Sequence, residues 1–443
     1  MASTESVKGL LQFLSESPTA FHAVAAAEQR LTAAGFARLR EGEAWALAPG
    51  GRYYATRNGS ALIAFQLPEN RPDGFQLIAS HTDSTTFKVK EHAELSVRGK
   101  YVQLDTERYG GVIFASWFDR PLSVAGRVVV RTEAGLETRL VCLDRDMCVI
   151  PNVAIHMNRE VNNGYKYAAN VDLMPLWGGA DAKDSFRKII AEAAGTEPER
   201  LIAQDLYLYS RTPGTVWGAE DAYVSAGRLD DLECVYTSLT ALITAQEQTR
   251  RSGHVSVCAL FDNEEVGSTT KQGADSTFLQ DTLRRIALGL GFGEEEWLRL
   301  LSGSLMLSAD NAHAVHPNHP ELADPVNCVW MNEGVVIKHN ANQKYTTDAL
   351  SAAAFREVCR LADVPVQEYF NRSDMAGGGT LGNISGSHVS IPTVDIGLAQ
   401  LAMHSCWETA GTADLDHMTA ALTAFYASEA RVTDGCVVAR PVR

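Results

Sequence analysis

Eight cysteines lie scattered at positions 142, 148, 234, 258, 328, 359, 406 and 436, and no two form a Cys-x-x-Cys pair or a zinc-finger spacing. A zinc ribbon is thereby excluded. Several of these cysteines sit in apolar runs, where the thiol behaves as a small buried hydrophobe. The pattern reads as a reducing compartment, so a cytoplasmic protein is expected. No apolar stretch approaches the length of a membrane-spanning helix. The apolar run after Lys8 stops at Ser15-Glu16-Ser17, too early for the core of a secretory signal. Basic residues are in short supply: 39 Lys and Arg stand against 54 Asp and Glu, a net charge of -15. That balance argues against nucleic acid and against an anionic membrane as partners. It leaves room for an acidic peptide, because a few local cations or metal ions can overrule a negative global field. There is no Gly-x-Ser-x-Gly elbow for a nucleophilic serine and no Gly-x-x-x-x-Gly-Lys phosphate loop. The Gly377-Gly378-Gly379-Thr380-Leu381-Gly382 run lacks the strand–helix spacing of a dinucleotide site and reads as a loop of close backbone approach. Internal repeats and low-complexity linkers are absent too.

What is present is ordinary globular composition, 45% hydrophobic and 21% charged over 443 residues, enough for a large core. Such a length suggests about two or three domains. Val7 to about Gly35 reads as two helices broken at Ser17-Pro18-Thr19, and residues 53–67 as two strands around an Asn58-Gly59 turn. Phe75–Ala79 is a short apolar strand. From Glu94 to about Arg145 apolar and polar residues alternate between turn signals, a strand-rich segment, with a helical pattern near 181–204. From Leu229 onward helices and strands alternate: a long helix over Leu232–Gln248, a buried strand over His254–Phe261 and a largely helical Ser276–Leu290. A strand over Cys328–Ile337, another over Thr393–Ile396 and a closing helix over Leu415–Val432 follow. Alternation of this kind implies a mostly parallel sheet flanked by helices. The expected architecture is an α/β catalytic domain, 1–92 with 229–443, interrupted by a β-rich insertion at 93–228.

Five places in the α/β part combine metal-ligating residue types with strand ends, where open α/β sheets gather their ligands. His81-Thr82-Asp83 follows an apolar strand; a metal-bound histidine usually has a carboxylate at its other nitrogen. Arg228-Leu229-Asp230-Asp231-Leu232 precedes a long helix, and taken alone reads more readily as a helix cap. Asp262-Asn263-Glu264-Glu265 leaves a buried strand, where adjacent glutamates are costly unless something positive receives them. The stretch from Ser308 through Asp310 to His313, with His316 and His319, is the fourth, and His404 after Leu401-Ala402-Met403 the fifth. A lone histidine beside an apolar run is more often a satisfied structural residue than a ligand. Together the five supply the donors and the spare carboxylate of a two-metal hydrolase.

These motifs, in order and over nearly the whole chain, resemble the aspartyl aminopeptidases among the zinc metallopeptidases. The likeness is carried by Ser17-Pro18-Thr19-Ala20-Phe21-His22, SHTDS at 80–84, Ile150-Pro151-Asn152-Val153-Ala154-Ile155-His156, RLDDL at 228–232, DNEEVGS at 262–268, SADNAHAVHPN at 308–318 and QLAMHS at 400–405. The resemblance implies two zinc ions per subunit, with cobalt or manganese acceptable to such donors. Asp230 would bridge them, His81 and Asp310 would complete one, and Glu265 and His404 the other. Glu264 would be general base and acid, Asp83 would orient His81, and the Asp230–Asp231 peptide would be cis. His156 would reach a neighbouring subunit's site, which makes the insertion a dimerisation domain within a dodecamer. Read from the residues alone, His156 is a buried structural histidine. Lys338, at a strand end, would meet the side-chain carboxylate of the residue removed, with Tyr345 and the Gly377–Gly379 loop as helpers; the substrates would be short peptides with an N-terminal Asp or Glu. The chain departs from the resemblance at Cys406-Trp407-Glu408, where relatives often carry arginine before the glutamate, and at Asn311, a commonly apolar position. The rival readings are a di-zinc aminopeptidase or deacylase of other specificity, and a catalytically dead scaffold.

Overall fold

The computed structural model describes residues 4–433 and 435–442. Its centre is a nine-stranded sheet whose order, by residues, is Ala37–Leu39, Arg52–Arg57, Ala61–Gln66, His254–Phe261, Gly74–His81, Leu305–Ala309, Thr393–Gly397, Val335–His339 and Val366–Phe370. The four central strands, His254–Phe261 through Thr393–Gly397, are mutually parallel, so their carboxyl ends share one edge. These strands read as nearly unbroken apolar runs because both their faces are covered. Alternate side chains go to opposite cores. Ile78, Cys258, Leu260 and Leu307 join the core under the helices Leu229–Thr244, Ala349–Leu361 and Thr412–Tyr426. Leu77, Val257, Ala259 and Met306 join the other, with Phe278, Leu283 and Trp297.

A second, wholly antiparallel sheet of six strands runs in the order Gly135–Cys142, Leu122–Thr132, Leu201–Ser210, Thr86–Val97, Tyr101–Tyr109 and Leu176–Gly179. It closes over its own apolar core of Phe87, Leu104, Trp117, Val128, Ile190 and Leu206 among others. A third, five-stranded sheet stitches the chain together: Tyr223–Ala226 pairs with Glu408–Gly411, and Ala399–Leu401 with Ala312–His313. Among the described residues no helix is long and apolar enough to cross a membrane.

Two expected elements need correction. The strand placed over Cys328–Ile337 occupies only Val335–His339. Asn332 and Gly334 adopt left-handed φ of 69° and 108°, and their amides donate to the buried Asp414 carboxylate, which turns the chain before the strand can begin. The closing helix starts at Thr412 and ends at Tyr426. Residues Ser428–Thr433, alternately buried and half-exposed, instead pair with Cys436–Pro441 as a hairpin.

His254 opens one central strand with its side chain buried and its Nε2 without a hydrogen-bond partner. Burial pushes it down to about 3, against a weak opposing pull from the Tyr426 backbone. Because the folded value lies below the unfolded value of about 6.5, neutral His254 contributes stability that is complete above pH 6.5 and drains away as pH falls toward 3. The stability difference between wild type and His254→Gln is therefore expected to shift by about 2 kcal/mol against the wild type between pH 7 and pH 5. Urea unfolding at the two pH values checks this; a pH-independent difference contradicts it.

Candidate metal centre

The shared carboxyl edge of the four parallel strands brings together residues far apart in sequence. Gly74–His81 ends in His81, His254–Phe261 leads into Asp262–Glu265, Leu305–Ala309 delivers Asp310, and the chain after Thr393–Gly397 turns back to His404. Asp230 enters from the start of the helix that packs beneath them. It does not cap that helix. Asp230 and Asp231 have non-helical backbone angles, their peptide is cis, and neither side chain bonds a first-turn amide as a cap would.

Two groups of potential donors result, each with one atom per residue within 4.8 Å of the others: His81, Asp230, Asp231 and Asp310, and Asp230, Glu265 and His404. Asp230 belongs to both. Its Oδ1 lies 3.4 Å from His81 Nε2 and its Oδ2 3.5 Å from His404 Nε2. His404 Nε2 also stands 3.3 Å from Glu265 Oε2. The far nitrogens of both imidazoles are held from outside: His81 Nδ1 by the Asp83 carbonyl at 3.1 Å, His404 Nδ1 by the Gly111 carbonyl at 3.1 Å. That leaves each Nε2 lone pair facing the carboxylates, as a metal-ligating histidine requires.

Backbone amides fix the acids. The Asp83 carboxylate accepts from the amides of Glu264 and Glu265, at 3.1 and 3.2 Å. Glu408, fully buried, accepts from the amides of Asp230 and His404, at 3.0 and 2.8 Å. Asp231 accepts from the His81 amide at 3.0 Å.

The charges do not balance within the protein alone. Burial, reinforced by neighbouring carboxylates, pushes Glu264 up to about 8 and Glu408 likewise to about 8. Glu265, Asp231 and Asp310 are raised by the same desolvation, opposed at Asp310 by Lys338. Burial alone would lower His81, but Asp231, Asp230 and Asp83 overcome it and hold the imidazole well above its ordinary value. Burial likewise works against ionised Asp230, yet His404 and His81 keep it below the usual carboxylate range. Asp230 Oδ1, Asp231 Oδ1 and Glu265 Oε1 are buried with no hydrogen-bond partner. Buried, unpartnered carboxylate oxygens facing imidazole lone pairs fit divalent cations of the zinc type.

The other expected residues divide. Lys338 is buried beside the first group: Nζ donates to the carbonyls of Asp310 at 2.8 Å and Asn311 at 3.2 Å, and lies 3.6 Å from Asp310 Oδ2. The Tyr345 ring lies 5.1 Å from it. His156 is not brought to the cluster: it stands on the exposed stretch 151–160 of the six-stranded part, and the buried structural role does not hold. His316 and His319 face each other at the surface, His319 paired with Glu321. Asn311 is tied into a buried polar group, donating to the Leu229 carbonyl and to Gln400. In the Gly377–Gly379 loop only Gly377 is crowded, by the Asn371 side chain 2.3 Å from where its Cβ would stand, while Gly378 has open space and is exposed. Asp231 and Glu408 join the cluster without having stood out in the sequence. Asp231 was masked by its look of a cap, and nothing around Glu408 marks the amides it accepts from.

Comparison with known proteins places the chain among zinc enzymes. Residues 13–426 match the profile of the aminopeptidase I zinc metalloprotease family, M18. A protein of Clostridium acetobutylicum, named a probable M18 family aminopeptidase 2, is 47% identical over 422 residues, covering 94% of this chain and 96% of its own. Among solved structures, that of the complex of Ape4 and Nbr1 gives a TM-score of 0.92 at 33% identity, covering 95% of this chain and 85% of that one. The mApe1 dodecamer of S. cerevisiae gives 0.84 at 28% identity, with 96% of both chains covered. A family profile that spans residues 13–426, with relatives nearly half identical over almost all of the chain, means that this chain belongs to the M18 family of zinc metalloproteases and is a metalloaminopeptidase.

Proposed function

We propose that this aminopeptidase removes an N-terminal acidic residue, aspartate above all, from peptides, and that Glu264 is its general base. The observation that carries the specificity is Lys338. A fully buried ammonium is costly unless it is paired or used. Two of its three N–H bonds go to the carbonyls of Asp310 and Asn311, and the third, with Asp310 Oδ2 only as near as 3.6 Å, is the donor we assign to a substrate carboxylate. Tyr345 walls the same position.

His81 and Asp310 would hold one zinc ion and Glu265 and His404 the other, with Asp230 shared; cobalt or manganese suits the same donors. When bound there, two such ions supply Lewis-acid polarisation of the scissile carbonyl and make water a stronger acid. Glu264 takes the proton of the attacking water on its carboxylate and returns it to the leaving amine nitrogen. Its backbone is pinned by Asp83, which also fixes the His81 tautomer through its carbonyl.

The inserted unit, 93–228, is read as the dimerisation part. Val153, Ile155 and Met157, around His156, are 48%, 47% and 82% exposed, an apolar surface that a second copy would cover. His156 then reaches the site of that copy, and dimers build a dodecamer such as the one solved for S. cerevisiae mApe1. All eight cysteines are free thiols, as suits the reducing cytoplasm where we place the protein.

Release of a chromogenic amine from Asp, Glu, Leu and Lys derivatives, before and after chelation and zinc add-back, tests the reading. Metal-restored turnover confined to the acidic pair is expected; equal turnover of Leu would remove the specificity. In Lys338→Met, KM for the aspartyl substrate should rise steeply, on the order of a hundredfold, with zinc content intact. Glu264→Gln should keep both zinc ions but lose roughly a thousandfold or more in kcat, and retained turnover would strip Glu264 of its role.

A further inference from the structure

The metal groups lie at the edge of the nine-stranded sheet, yet part of what holds them comes from the other sheet. The strand Tyr101–Tyr109 of the six-stranded sheet ends against the cluster, and Gly110, Gly111 and Ile113 after it lie beside Glu265 and His404. The Tyr109 hydroxyl donates to Asp83 Oδ2 at 2.8 Å and accepts from Asn263 Nδ2 at 2.7 Å. Asp83 in turn receives the amides of Glu264 and Glu265. Asn263, at a left-handed φ of 63°, starts the turn that carries both acids, and its Oδ1 is held by Thr270 and Gln272. Gly110, at φ 77°, has no room for a side chain: a Cβ would stand 2.9 Å from Thr85 Cγ2 and 3.1 Å from Glu265 Cβ. The Gly111 carbonyl accepts from His404 Nδ1, and the Ile113 amide donates to the His404 carbonyl at 3.0 Å. One short strut thus orients the turn bearing Glu264 and Glu265 and the ring of His404, from the side away from the donor atoms.

We propose that Tyr109 is a positioning residue which, with Gly110 and Gly111, sets the zinc affinity of the Asp230, Glu265 and His404 group by seating the six-stranded sheet against it. The inference rests on the reading of those three residues as ligands. Partners that orient metal ligands are commonly worth tenfold to a hundredfold in affinity. Tyr109 touches no reacting atom, and its ring is fixed edge-on against Tyr207, with centroids 5.7 Å apart, so removing the hydroxyl leaves its packing in place.

The test uses the full-length protein stripped of metal and titrated with zinc against a chromogenic chelator. In Tyr109→Phe the zinc ion of the Asp230, Glu265 and His404 group should bind tenfold to a hundredfold more weakly, and the ion held by His81, which Tyr109 reaches only through Asp83, should be weakened less. kcat at limiting zinc should fall while KM is held, and excess zinc should restore most of it. Gly110→Ala, which breaks no hydrogen bond, should weaken the same ion. Tyr209→Phe is the control: it loses a buried bond to the Leu143 carbonyl in the same sheet, at 3.0 Å, and should lower the melting temperature without changing either zinc affinity. Wild-type affinity for both ions in Tyr109→Phe and Gly110→Ala overturns the proposal, whatever their melting temperatures. His404→Ala separates the two layers: it should bind one zinc ion, and if it binds two, the ligand assignment fails and this inference falls with it.

Discussion

Six carboxyl groups, those of Asp230, Asp231, Glu264, Glu265, Asp310 and Glu408, share one water-poor volume with two imidazoles and one ammonium. Left to themselves such groups repel one another, and each resists losing its proton because burial disfavours the charged form. The remainder of the architecture answers that repulsion. Parallel strands aim their carboxyl ends at one place, and the acids arrive from those ends, from the turn at Glu264–Val266, from the start of the helix Leu229–Thr244 and from the strand Glu408–Gly411. Backbone amides then take up part of the negative charge at Asp83, Asp231 and Glu408. What the amides and Lys338 leave over is the charge that divalent cations neutralise.

The same repulsion explains why so many partners approach from behind. A carboxylate that must present one oxygen to a cation cannot choose its own rotamer among like charges; it has to be held. Asp83, Glu408 and the 109–113 strut each do this for a pair of donors, and each comes from a different part of the chain. The two sheets are therefore coupled through chemistry as well as packing. The five-stranded sheet adds a further tie, since Glu408 lies on its strand Glu408–Gly411, which pairs with Tyr223–Ala226 just ahead of Asp230.

Much of this could be read from the residues before the fold was known, for physical reasons. A strand buried on both faces is an apolar run, and a polar cluster at its end stands out, so His81, Glu264, Glu265 and Asp310 were visible. The errors came where local pattern and tertiary context disagree. Residues 328–334 look like strand but are turned by Asn332 and Gly334 toward a buried aspartate 80 residues away in sequence. Residues 428–433 continue the composition of a helix but find a partner strand only after the next turn. Asp231 has the spacing of a cap and does other work. Tyr109, Glu408 and Asn311 act through space, and no periodicity announces a residue whose meaning lies in an amide contributed by a distant loop. His156 stands apart from the cluster on an exposed stretch, and its neighbours carry no local pattern that separates it from an ordinary surface histidine.

The donors run from His81 to His404, so the cluster closes only when all the chain between those two histidines is in place. A growing chain leaving the ribosome holds Asp83, Tyr109 and the acids of 262–265 long before it holds His404. No fragment ending before that histidine carries the complete donor set. A cation held by residues so distant in sequence would act as a clasp across several hundred residues of chain, the kind of cross-link whose effect on the unfolded state grows with the loop it closes.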